Sequence, residues 1–185
     1  MLDSLVSDGK FDLLDLDTIM IDAVRYDDAQ FAEALFSHGL PLHPDYALEA
    51  AKWKAKNVLE ALFKNGWNVN KPISDAQPPG QLLFHALDRE SEVFEVLTLL
   101  LKEGAPLNAT MYQNHPFSWS LYAFMGLGTI LHKATELGKV DVVRFLVHDG
   151  VDLSIKDANG DTALDCARRL SKLEVVQLLE DSIGH

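Results

Sequence analysis

The sequence predicts an all-α solenoid of about four to five stacked helix pairs, and three observations carry that prediction. The first is internal repetition at a fixed offset. Thr129 falls on Thr162, Leu131 on Leu164, Ala134 on Ala167, Val143 on Val176 and Leu146 on Leu179, always 33 residues apart. Self-similarity at such a period is the mark of a repeat array. The second is a recurring exit signal, an apolar pair, two further residues and a glycine. It occurs at Leu35-Phe36 with Gly39, Leu62-Phe63 with Gly66, Leu100-Leu101 with Gly104, and ahead of Gly150. Glycine takes the left-handed conformation that closes a helix. The third is where the irregularity lies. The inner-helix start precedes its exit glycine by 17 to 19 residues throughout (Asp22 to Gly39, Glu49 to Gly66, His85 to Gly104, His132 to Gly150), so insertions fall in the connections. Stacked units tolerate variation only there.

On this basis the helix pairs run near 18–37, 45–64, 82–102, 130–148 and 163–181 of a single domain, 1–185. Residues 1–17 read as an N-terminal cap, a short helix broken at Asp8-Gly9 followed by an extended segment, because a terminal unit must cover an apolar flank. Pro41 and Pro44 remove donors from the first junction, so no full hairpin is expected there. The segment from Trp67 to Gly80 holds Pro72, Pro78 and Pro79 and reads as loop. Asp157-Ala158-Asn159-Gly160 is a turn signature in which the Asp side chain bonds its own backbone two residues on. It is the place for one well-formed hairpin finger. The largest insertion, 109–127, is rich in aromatics and nearly free of charge. Tyr112, Phe117, Trp119, Tyr122 and Phe124 there are expected to roof the groove between the third and fourth units or to form a landing site for a partner.

Composition narrows the function. Of 185 residues 48% are apolar, enough for a substantial core, and the formal charge is −12. An acidic chain repels phosphate backbones and anionic lipid, which speaks against nucleic acid and membrane surfaces and for a basic or apolar protein partner. No run is long and apolar enough to span a bilayer. Met1 to Lys10 lacks the pattern of a secretory signal, and Cys166 is the single cysteine. Together these point to a reducing compartment, cytoplasmic or nuclear.

The stretch G-T-I-L-H-K-A from Gly128, the V-V-x-x-L of Val142 to Leu146 and the D-G-V-D-L exit resemble the ankyrin-repeat family, as does the matching unit from Gly160. The resemblance implies helix pairs whose inner helices and hairpin tips line a concave recognition surface. Carried onto this chain, the partner-binding positions are Lys133, Glu136 and Leu137 in the fourth unit. The fifth gives Cys166, Arg168, Arg169 and Leu170, and the finger gives Lys156, Ala158, Asn159 and Asp161. Trp119, Tyr112, Tyr122 and Phe117 of the insertion join them. His132 and His85 hold the position at which family histidines bond neighbouring backbone and tie repeats together.

No catalytic, metal or cofactor site is read from the residues. Equivalent positions in stacked helices lie about 8–10 Å apart, too far for His85 and His132 to share a zinc ion that needs each nitrogen at about 2 Å. Glu49 and Asp165 share that register with Asp22 and cannot form a close carboxylate pair; bonding between repeats is their expected role. Cys166 matches the variable position of Lys133 and reads as an inert, partly accessible thiol. No phosphate-loop, dinucleotide, zinc-protease or nucleophile-elbow motif occurs. The reading is a non-catalytic interaction protein. Its rival is a small-molecule pocket or enzyme whose groove is closed by the insertion, using His85, His132 and His115.

Overall fold

The computed structural model describes residues 13–70, 81–88, 93–111 and 127–184. Within them ten helices alternate with tight turns and no strand is formed. The pairs are α1 (Leu13–Arg25) with α2 (Ala29–Ser37), α3 (Pro44–Trp53) with α4 (Lys56–Lys64), α5 (Gln81–His85) with α6 (Val93–Lys102), α7 (Ile130–Glu136) with α8 (Val140–His148), and α9 (Ala163–Arg169) with α10 (Leu173–Ile183). The inner helices α1, α3, α5, α7 and α9 pack in series. The outer helices follow behind them, α2 on α4 on α6 and α8 on α10, while Phe94 of α6 meets Phe145 of α8 with ring centroids 5.6 Å apart.

Burial follows the repeat. Leu35, Leu62, Leu100 and Leu146, each four residues before an exit glycine, are fully buried. Gly39, Gly66, Gly104 and Gly150 take φ of 94°, 91°, 88° and 80°. The residue after each then donates its N–H to that buried leucine's carbonyl, as Val151 does to Leu146 at 3.1 Å and Ala105 to Leu100 at 2.9 Å. Helix end and core position are therefore coupled, because the turn that stops the helix also fixes the leucine's depth.

The turns inside each pair are also left-handed, but only one of the four described is a glycine. Asp27, Lys54 and Ser171 have φ of 52°, 60° and 55°, beside Gly138 at 67°. Asp27 uses this placement. Its carboxylate accepts from Val58 N at 2.9 Å and from Asn57 Nδ2 at 2.7 Å. The first unit thus caps the outer helix of the second, whose own N-cap, Ala55, has no side chain for the task.

One boundary is corrected. The extended segment expected up to Asp17 is helical from Leu13 onward. Leu16, Met20, Ala23 and Val24 are all buried at helical spacing, and a face so spaced gains burial against α2 and α3 only as a helix. The rest of the expected cap, 1–12, lies outside the described residues, as do the loop segment 71–80 and residues 112–126 of the insertion.

Candidate functional site

Among the described surfaces that packing leaves open are the finger 156–162 and the exposed ends of α7 and α9. The finger is built by Asp157. Buried itself, it accepts from Asn159 N at 2.8 Å and Asp161 N at 3.0 Å through Oδ1. Asp157 N donates to Asp161 O at 2.8 Å, and Lys156 bridges Thr162 antiparallel. Two bonds then dock the finger on the fourth unit. Ala158 N donates to Leu127 O at 3.2 Å, and His132 Nε2 reaches Asp161 O at 3.1 Å.

His132 is fully used. Its Nδ1 accepts from Thr129 N at 3.1 Å, leaving Nε2–H to donate to Asp161. Burial pushes its pKa below the ordinary imidazole value, against the pull of the Asp161 carbonyl and of the Asp157 and Asp161 charges. Gly128 lies against the ring, where an added Cβ would stand 2.4 Å from His132 Cγ. In the next unit Thr162 and Asp165 form the corresponding reciprocal cap, Thr162 N to Asp165 Oδ2 at 3.0 Å and Asp165 N to Thr162 Oγ1 at 3.2 Å.

Four expectations are corrected here. His85 bonds Asp88 Oδ2 at 3.1 Å instead of neighbouring backbone. That junction is tied by lysines from the fourth unit: Lys133 Nζ donates to Phe84 O at 3.2 Å and Asp88 Oδ1 at 2.6 Å, and Lys139 Nζ to Leu87 O at 2.8 Å. The long lysine stem spans a seam that a ring on the five-residue α5 does not. Lys133, expected to face a partner, is thereby held within the stack. The carboxylates bond inside their own units, Glu49 to Lys52 and Trp53, Asp165 to Thr162 and Asp22 to Arg25. Cys166 is fully buried, its thiol pushed up to about 11 by burial and by the charge of Asp157. The α9 face that carries Cys166 turns under the finger, so a position variable in kind is closed in place.

Of the other expected residues, Ala158 and Asp161 of the finger are half-buried. Glu136, Lys156, Asn159, Arg168 and Arg169 are exposed, as is Leu137 at 49% and Leu170 at 38%. Arg169 is oriented by Asp161 Oδ2 at 3.0 Å and Arg168 by Glu180 Oε1 at 2.7 Å. A cleft of about 210 Å³ lies between the third and fourth units, walled by Phe84, Met111, Leu127, His132, Glu136 and Leu137. It is smaller than the 300–1,000 Å³ or so of ordinary ligand pockets, and its histidine has no nitrogen to spare. Tyr112, His115, Phe117, Trp119 and Tyr122 lie outside the described residues. Ligand atoms of Asp157, Asp161 and Cys166 gather within 4.8 Å of one another. The chemistry does not suit a metal: Asp157 is spent on the finger, Asp161 on Arg169, and the thiol stays protonated. Asp88 and Lys139 had no signal in the sequence, since their partners lie 45 and 52 residues away.

Stacked helix pairs with a finger docked on the preceding unit define a repeat protein of the ankyrin kind, and a family model for ankyrin repeats (3 copies) matches residues 83–184. The chain belongs to the ankyrin-repeat family. It is also 30% identical over 95 residues to the B-cell lymphoma 3 protein homolog of Mus musculus. That match covers 51% of this chain and 18% of the relative. No helix among the described residues is long and apolar enough to cross a membrane.

Proposed function

We propose that the chain is a non-catalytic recognition module that binds another protein through its inner-helix ends, its finger and the aromatic insertion, without cofactor or metal. One observation carries the reading. Among the described residues, His132 is spent on two backbone partners, His85 on Asp88 and Cys166 on burial, whereas Glu136, Leu137, Arg168, Arg169, Lys156 and Asn159 are exposed. Repeat arrays present such surfaces as extended binding faces. The net charge of −12 supports a basic or apolar partner surface, in the cytoplasm or nucleus. The insertion enters on its composition, five aromatics in a stretch almost without charge.

The test is partner capture with matched variants. Glu136→Lys with Asn159→Ala, and separately Trp119→Ala, are expected to lose the captured partner while melting as the parent does. His132→Gln is expected to keep it when folded. A turnover abolished by His132→Gln in folded protein would overturn the reading in favour of an enzyme.

A further inference from the structure

The large apolar side chains left in solvent are not scattered. Among the described residues they are Tyr26 (82% exposed), Phe94 (40%), Leu137 (49%), Leu170 (38%), Leu173 (77%) and Ile183 (56%). All but Ile183 sit where an inner helix turns into its outer helix. Leu137 and Leu170 are equivalent across the repeat, and Leu173 opens α10 where Val140 opens α8. Phe94, Leu137 and Val140 border an open cleft of about 630 Å³. Apolar patches of this kind on a soluble domain mark an interaction site.

The charges on this edge indicate what covers it. The cleft is bordered by Lys139 and Arg144 beside Asp141 and Glu174, two basic against two acidic, on a molecule whose total is −12. Arg144 and Glu174 line the same cleft, and among the described residues neither is held by an ion pair. Two copies of so acidic a chain repel through most of their surface. Around this cleft the charges cancel, and both signs lie beside the apolar Phe94, Leu137 and Val140. Such a patch is complementary to itself under a two-fold axis, in which each contact occurs twice.

We propose that this edge is a homotypic interface. Leu137, Leu170, Leu173 and Phe94 of one copy pack on those of a second, and Arg144 of each faces Glu174 of the other. The association is weak and reversible, as befits a patch of a few side chains. It takes the inner-helix ends at Leu137 and Leu170 and leaves the finger free, so it goes beyond the partner reading above, in which a different protein meets those ends together with the finger.

Sedimentation velocity on the full chain, over a concentration series from micromolar upward, tests it. The expected result is a monomer–dimer equilibrium that Leu173→Glu weakens at least about tenfold and Ile183→Ser leaves unchanged. Leu173 is the most exposed of the four, so its replacement spares the fold; Leu137→Asp is the second variant. Arg144→Glu and Glu174→Arg should each remain monomeric alone and pair when mixed. A monomer throughout the series overturns the proposal, and would be the result if a different protein covers this edge. A dimer indifferent both to Leu173→Glu and to the mixing of the charge variants overturns it equally.

Discussion

His132 joins two units by donating from Nε2 to the carbonyl of Asp161, 3.1 Å away and 29 positions further along the chain. The same ring caps its own helix by accepting from Thr129 N. A glutamine can imitate one of these bonds but not both from one rigid plane. His132→Gln is therefore expected to cost about 1–3 kcal/mol, the range for leaving buried polar groups unpaired, read from denaturant melts at neutral pH.

The pH dependence has a definite sign. The folded pKa of His132 lies below its ordinary value because of burial, and that of His85 does too. The unfolded chain then binds more protons as pH falls through about 6.5. Stability from these rings is full above that value and is lost as pH drops from it towards the folded pKa values. Melts at about pH 7.5 and about pH 5.5 should show a loss that is smaller in His132→Gln than in the parent. An equal loss in both would remove His132 from the account.

The buried leucines ahead of the exit glycines should dominate stability. Leu100→Ala and Leu146→Ala each empty a site with no solvent exposure, and each is expected to cost about 2–5 kcal/mol. A loss below about 1 kcal/mol for both would contradict the packing of the outer helices.

Backbone conformation gives a prediction of opposite signs at two sites. Ser171 is exposed and holds φ of 55°, so Ser171→Gly relieves left-handed strain and is expected to be neutral to stabilising by about 1 kcal/mol. Gly128 has no room for a methyl group against His132. Gly128→Ala is expected to destabilise by about 1–3 kcal/mol. Thermal melts of the two single variants check both directions.

Cys166 should be silent in the native protein. Burial first, then the Asp157 charge, pushes its thiol up to about 11, and the thiolate is the reactive form. An aromatic disulfide reagent near neutral pH is expected to label it at the rate of unfolding. Rapid labelling of folded protein would show the thiol open.

What the sequence determined by itself is whatever one unit dictates locally. The helix-pair architecture, the leucines four residues before the exit glycines and the Asp157 finger follow from periodicity and turn chemistry, which act over a few residues. What only the tertiary structure decided depends on what an adjacent unit brings near. Lys133 reads as a surface position until Phe84 and Asp88 are placed beside it, and Cys166 reads as accessible until the finger folds over it. Asp27 has no visible task until α4 arrives without a cap of its own, and His85 resembles His132 in sequence while its bond goes to Asp88. These partners lie 31 to 49 residues apart for Asp27 and Lys133. A repeat fixes the form of each unit; the identity of facing side chains at each seam settles which polar groups are consumed and which remain for a partner.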